Sequence, residues 1–539
     1  MFTRNQRIIL LALVALAVAF RVAIVHWLPN NSADDGLGYA QIARNVLEHH
    51  VYSHATEPPF NPSFVRVPGY PLFLAAIYSV FGHTNNSAVR IVQALMDTAT
   101  CVLIAVLAFL WHPVERHKTN TAIAALAVAA VNPFTTIYAA TILTEVPAMF
   151  FIVAACLAAT VAFKSDKLEY ELRWWSISGI LLGVGVLFRP DIGLVGASIG
   201  VLVLLRLFRR SKGRWRRTLL STAIFSVAFV LVLAPWTIRN WRAFHVFQPL
   251  APLNANMPGE FVATGYERWL KTWMTDREFL DDLLWELDKQ QIDVDELPDS
   301  AFDSQAEHDR VSDLFDQYNG PSADNNNDDD AQPAPSPSSS PAGSPAVPSS
   351  VKNANSNSED ANDPDQGPDA NNDRPEKPGQ MTPAIDAGFA QIANERIARH
   401  PFRYYLLLPA KRAHSLWFNT HSDFYPFDGD ALPLNNPDHS PGQNFWLPIF
   451  AVIVAIYTLL GVAGFVLLAM SESFYPSMWA LLVVLVFATR LGLFSMAVSI
   501  EPRYVVEFFP FLSALGGIAI AEIVSRLKRR AVTGTPETA

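Results

Sequence analysis

The chain has 539 residues, 50% of them hydrophobic and 17% charged, with a formal net charge of −10 and two cysteines. Long apolar runs fill residues 8–236 and 445–524, and a membrane span needs about 20 mostly apolar residues. These runs exclude a soluble globular protein, the cysteine count excludes a disulfide framework, and nothing in the charge pattern calls for nucleic acid.

The negative charge is local. Residues 276–376 carry about 26 acidic and 5 basic side chains, so the remainder is net positive. Cys101 and Cys156 both fall inside apolar runs and read as small packed hydrophobes.

In chain order, Arg4 and Arg7 precede an apolar run from Ile8 to Leu28. It exceeds a signal-peptide core and lacks a small-residue cleavage site before Arg21, so it reads as a retained first helix. Further spans are predicted at 88–110, 120–138, 143–163, 174–189, 191–208, 218–236, 445–469, 477–495 and 505–524. A shorter apolar piece at 71–82 reads as re-entrant or interfacial, or as an eleventh span. The expectation is an all-α polytopic membrane protein of about ten to eleven transmembrane helices, with a large external loop between helices 7 and 8.

Basic residues favour cytoplasmic loops. With the N-terminus inside, those loops hold Arg116 and Lys118, then Lys164, Lys167 and Arg173, then the run from Arg209 to Arg217, and finally Arg526, Lys528, Arg529 and Arg530. Both termini are therefore expected in the cytoplasm. Residues 1–236 form an N-terminal transmembrane module with an external catalytic loop at 29–87, followed by an external loop region at 237–318. Residues 319–381, rich in Asn, Asp, Pro and Ser, are predicted to be disordered because they offer too little apolar surface to offset chain entropy. Residues 382–444 read as amphipathic external helices on the membrane surface, and 445–539 as a C-terminal transmembrane module.

Charged groups at a bilayer are costly and tend to mark function. This topology delivers Asp34, Asp35, Glu145, Arg189, Arg239 and Arg503 to external helix ends. Each has an ordinary alternative: an interfacial Arg can snorkel to headgroups, and Glu145 or the Asp pair can simply open a helix. The joint pattern, carboxylates among several Arg, suits a hydroxyl nucleophile and an anionic phosphate leaving group. His49, His50, His54 and Glu57 match no standard metal-site spacing, so no metal ligands are assigned.

Several motifs then resemble the GT-C superfamily of membrane glycosyltransferases, such as protein O-mannosyltransferases and the lipid A aminoarabinose transferase. Asp35-Gly36-Leu37-Gly38-Tyr39-Ala40-Gln41-Ile42-Ala43 is similar to the element that carries the family's base. Arg66-Val67-Pro68-Gly69-Tyr70-Pro71, Arg90-Ile91-Val92-Gln93, Thr144-Glu145-Val146-Pro147, Phe188-Arg189-Pro190, Pro235-Trp236-Thr237-Ile238-Arg239-Asn240 and Pro502-Arg503-Tyr504 complete the set. The resemblance implies inverting transfer of a sugar from a polyprenyl-phosphate carrier to a lipid, glycan or protein hydroxyl. In a bacterium this would occur on the outer face of the inner membrane, with no cofactor assigned and a divalent-metal requirement left open. Asp35, with Asp34 as the neighbouring candidate, and Glu145 would be catalytic. Arg189, Arg239, Arg503, Tyr39 and Arg66 would bind the donor's lipid phosphate. A lipid-linked donor needs no soluble nucleotide-sugar site, which fits the absence of a Rossmann-type Gly-rich motif.

The competing class is a transporter or flippase of a lipid-linked saccharide, which should carry its costly groups near the bilayer midplane on broken helices. A noncatalytic scaffold presenting the acidic loop would leave the Asp, Glu and Arg cluster without a role.

Overall fold

A computed structural model describes residues 3–29, 34–82, 84–206, 214–252, 256–320, 379–418, 424–427, 429, 431, 432, 434, 437 and 439–533. The first helices are α1 (Arg4–Trp27), α2 (Asp34–His49), α3 (Gly69–Phe81), α4 (Asn86–Trp111), α5 (Lys118–Ala130) and α6 (Pro133–Thr136). They are followed by α7 (Glu145–Lys164), α8 (Leu168–Phe188), α9 (Gly193–Leu205), α10 (Arg214–Phe244), α11 (Thr264–Leu270) and α12 (Gln305–Asn319). The last are α13 (Pro383–Arg399), α14 (Leu408–Phe418), α15 (Pro441–Ala469), α16 (Phe474–Ser495) and α17 (Phe509–Thr533).

No strand occurs among the described residues, and the chain is an all-α, multi-span membrane protein. Among the described residues, eight segments are long and apolar enough to cross a bilayer: α1, α4, α7, α8, α10, α15, α16 and the stretch Pro502–Arg529 that contains most of α17. The expected span at 120–138 is instead a pair of helices bent by 54°. Pro133 cannot continue α5 because it lacks an N–H, and the Asn132 side chain caps the new start by accepting from the Phe134 and Thr135 amides. The expected 191–208 span is a shorter apolar helix, Pro190–Leu205, as is α3.

The bundle is closest-packed around α7, whose Ala148, Ile152, Ala155, Cys156 and Ala159 are all buried in one core with α4, α5, α8 and α17. Small side chains let helix backbones approach, which in lipid replaces much of the missing hydrophobic drive. The polarity of α7, α8 and α17 defines two ends. One holds the start of α7, the end of α8 and the start of α17. The other holds Lys164, Lys167 and the buried Glu171, which is clamped by Arg206 at 2.5 Å and by Arg217.

A second, smaller core forms from α11, α12 and α13, where Tyr266, Trp269, Phe315 and Phe389 stack edge to face. This changes the reading of residues 382–444 as membrane-surface helices. The apolar face of α13 (Ile385, Phe389, Ile392, Ala393) is turned into that core, and Arg396 is buried against Glu307 at 2.7 Å and Asp303 at 3.1 Å. Periodicity alone cannot tell a face against lipid from a face against protein.

Most of the predicted disordered segment, residues 321–378, lies outside the described residues. Its two flanks meet: the Gln380 amide donates to the Tyr318 carbonyl at 2.9 Å, and the Gly379 amide to Gln290 at 3.3 Å. Replacing residues 322–378 by a short Gly-Ser bridge should therefore leave expression and thermal stability within a few degrees of the parent. Loss of the folded protein on size-exclusion chromatography would contradict this.

Candidate active site

Asp35 lies in the first turn of α2, where the helix dipole favours a carboxylate. Its approach depends on Gly36, since a Cβ there would come within 2.6 Å of the Ile142 carbonyl, just before Thr144 and Glu145. The loop at residues 50–68 is held on α2 by Asn45, which donates to the Ser53 and Ala55 carbonyls at 2.9 and 2.8 Å. Gly69 then lets that loop touch the end of α8, as a Cβ would meet the Leu187 carbonyl at 2.5 Å. Two glycines thus bring Asp35 and Arg66 against the ends of α7 and α8.

Arg189 caps α8 in an extended conformation, φ −144° and ψ 117°, as expected for a residue before proline. Its guanidinium donates to Glu145 Oε1 at 2.7 Å and contacts Asp191 at 3.2 Å and Glu507 at 3.2 Å. Arg503 sits in the 3-10 turn before α17 and pairs with Glu501 at 2.5 Å and Asp35 Oδ2 at 3.0 Å. Arg66 holds the other Asp35 oxygen at 2.8 Å and lies over the Tyr39 ring, 5.7 Å from its centroid. Gln93, accepting from Tyr70, fixes the preceding turn by donating to the Thr141 carbonyl at 2.6 Å.

These groups enclose one cavity of about 220 Å³, lined by Asp35, Tyr39, Arg66, Glu145, Arg189, Asp191, Arg503 and Tyr504, with Val65, Val67, Leu143, Phe188, Ala251 and Pro252 on its apolar side. Three carboxylates face three guanidinium groups. Burial would raise the Asp35 carboxyl, but the Arg503 and Arg66 charges outweigh it and hold it below the ordinary carboxylate range. Burial keeps the Tyr39 hydroxyl protonated, hence a donor. Glu145 Oε2 is buried without a hydrogen-bond partner, an acceptor left for whatever enters the cavity. Chemically, the arrangement can take a proton from a hydroxyl and neutralise an adjacent anion.

Residues 62–238 match the dolichyl-phosphate-mannose-protein mannosyltransferase family. The resemblance to the GT-C superfamily holds. The family match contains the Arg66, Arg90, Thr144-Glu145 and Phe188-Arg189 elements and leaves Asp35 and Arg503 outside it. No curated protein matches the chain. Among solved structures, the chain is 18% identical to the protein O-mannosyltransferase Pmt1–Pmt2 complex of S. cerevisiae bound to the sugar donor, over 45% of this chain and 34% of that one, with a TM-score of 0.36. It is 12% identical to the Archaeoglobus fulgidus oligosaccharyltransferase AglB in complex with an inhibitory peptide and a dolichol-phosphate, over 99% and 52%, with a TM-score of 0.49. It is 14% identical to ArnT of Cupriavidus metallidurans bound to undecaprenyl phosphate, over 98% and 81%, with a TM-score of 0.36. The chain thus spans a third of the yeast chain and about half of the archaeal one. At these values the likenesses assign no activity.

Within and around residues 62–238, the structure brings together Asp35, Tyr39, Arg66, Glu145, Arg189 and Arg503. It does not bring Arg239 to them. The seventh predicted span runs on to Phe244, past its expected end at 236, and Arg239 turns to the 52–63 loop instead. There it donates to the Ser63 carbonyl at 2.7 Å and packs over Tyr52, Trp236 and Phe244. Asp34 opens α2, but its side chain lies outside the described residues. His49 stacks on Phe60 at 4.1 Å, away from any metal-like group. Among the described residues, the closest such group is His112, His117 and Glu522 at the opposite end. There the Val114 amide donates to His112 Nδ1, and Glu522 is paired with Arg526. Arg490 and Glu507 were missed by the sequence reading, although Arg490 is the single charge within 477–495 and charge inside an apolar run is itself a signal.

Proposed function

We propose that the chain is an inverting glycosyltransferase that moves a sugar from a polyprenyl-phosphate carrier to an acceptor hydroxyl on the non-cytoplasmic face of a bacterial inner membrane. The observation that carries this reading is the convergence of Asp35 with Arg66, Arg189 and Arg503 on one cavity. That cavity is at the bundle end opposite the basic residues Lys164, Lys167 and Arg206, which supports a cytoplasmic location for both termini. The family match and the motifs at Asp35 and Arg503 support the same chemistry.

Asp35 accepts the acceptor's proton as its oxygen attacks C1, and the bond from C1 to the phosphate oxygen breaks on the opposite side. Arg189, Arg66 and Arg503 stabilise the charge that develops on the departing lipid phosphate. Glu145 holds Arg189 and offers its free oxygen to the sugar. The costly groups cluster at helix ends rather than at the midplane, which favours transfer over transport.

Mass spectrometry of envelope lipids, glycans and proteins from cells with and without this chain tests the proposal. Loss of a sugar-sized mass from one fraction, with accumulation of the polyprenyl-linked donor, is expected. Identical spectra in all three fractions would overturn it.

A further inference from the structure

Behind the cavity, four charged side chains close a ring. Arg189 Nε meets Asp191 Oδ1 at 3.2 Å, and Asp191 Oδ2 meets Arg490 Nη1 at 2.5 Å. Arg490 Nη2 meets Glu507 Oε2 at 2.9 Å, and Glu507 Oε1 returns to Arg189 Nη1 at 3.2 Å. Arg189 and Asp191 line the cavity, whereas Arg490 and Glu507 do not and are 0% and 1% exposed.

The ring joins three separate elements: the turn after α8, the last two turns of α16, and the 3-10 turn before α17. Arg490 also donates to the Tyr504 carbonyl at 3.3 Å, next to Arg503. Buried ion pairs are seldom more stabilising than apolar packing of the same volume, so stability alone gives weak reason for this ring. Geometry gives a better one. Without Arg490, Asp191 and Glu507 would share Arg189 as their one cation in the ring and would draw it towards themselves. With it, each gives Arg189 a single oxygen. The guanidinium then donates through Nε to Asp191 and through Nη1 to Glu145, and Nη2 makes no hydrogen bond to protein among the described residues. With Nε and Nη1 both engaged, Nη2 is the nitrogen left to meet an anion.

We infer that Arg490 and Glu507 are positioning residues that orient Arg189 to receive the phosphate of the lipid-linked donor. This rests on the phosphate-donor reading proposed above. The decisive variant is the charge-balanced double replacement Arg490→Met/Glu507→Gln, compared with Arg490→Lys and Arg189→Gln in nanodiscs, using polyprenyl monophosphate as the probe. The double variant should keep its melting temperature within a few degrees, bind the probe about tenfold more weakly, and raise the donor KM by a similar factor with a smaller change in kcat. Arg490→Lys keeps the charge but loses the fork, and should fall between. Parental probe affinity and KM in Arg490→Lys and in the double variant, with loss in Arg189→Gln, would overturn the positioning role alone. Should the double variant fail to fold, Arg490→Lys decides by the same criterion. Parental probe affinity in Arg189→Gln would overturn the phosphate reading itself.

Discussion

Asp35→Asn should lower sugar transfer by about 10²-fold or more, the usual contribution of a positioned general base. Asparagine keeps the size and can still accept from one guanidinium, but it cannot take a proton at working pH. Donor binding should survive and become at least as tight. The reason is electrostatic: Arg66 and Arg503 are paired with Asp35, at 2.8 and 3.0 Å from its oxygens. An arriving phosphate competes with that carboxylate for the same two groups, and drawing them away restores proton affinity to Asp35. Because burial is outweighed by those charges, the acidic limb of kcat/KM for the parent should fall off below the ordinary carboxylate range. Asp34→Asn serves as the control and should be milder. Full transfer by both variants would sink the mechanism, and loss in Asp34→Asn alone would move the base by one residue.

How much of this site could be read from the sequence depends on what each residue needed. Asp35, Glu145, Arg189 and Arg503 were legible because helix ends sort to one face once the spans are set, and motifs mark which ends matter. Tyr39 and Arg66 came from motifs alone. Arg239 met the same helix-end criterion, yet α10 continues for two turns beyond Pro235 and carries its guanidinium to backbone carbonyls. No local pattern announces that extension, since proline at 235 argues against it. The ring through Arg490 and Glu507 was hidden for another reason. It depends on α16 meeting the turn before α17, a pairing that hydropathy does not encode. The fold was more legible than the site, because spans follow from composition, but α13 shows the limit. Its apolar stripe was clear, and only the aromatic cluster of Tyr266, Trp269 and Phe315 decides what the stripe faces.

The break between α5 and α6 leads to the largest stability effect. Arg21 is fully buried in the C-terminal half of α1 and pairs with Asp97 of α4 at 2.7 Å. It also donates to the carbonyls of Ala130 at 3.0 Å and Ala129 at 3.2 Å. Those carbonyls belong to the last turn of α5, which breaks at Pro133: proline has no amide for Ala129, which accepts instead from the Asn132 amide at 3.4 Å, and the Phe134 amide is taken by Asn132 Oδ1, which leaves the Ala130 carbonyl to Arg21. One side chain therefore neutralises an intramembrane carboxylate and caps a broken helix. Asp97→Leu leaves a buried guanidinium without its counter-ion and should destabilise by about 3–5 kcal/mol. Arg21→Met should cost at least as much, since it strands both the carboxylate and the Ala130 carbonyl. The double variant Arg21→Met/Asp97→Leu removes both charges and should recover most of the loss. About 1–3 kcal/mol should persist, the penalty for the unsatisfied Ala130 carbonyl at the end of α5. Unfolding of the four proteins in detergent micelles gives the cycle directly. Strict additivity of the two single losses would show that Arg21 and Asp97 are not coupled, and full recovery in the double variant would show that the helix end needs no cap.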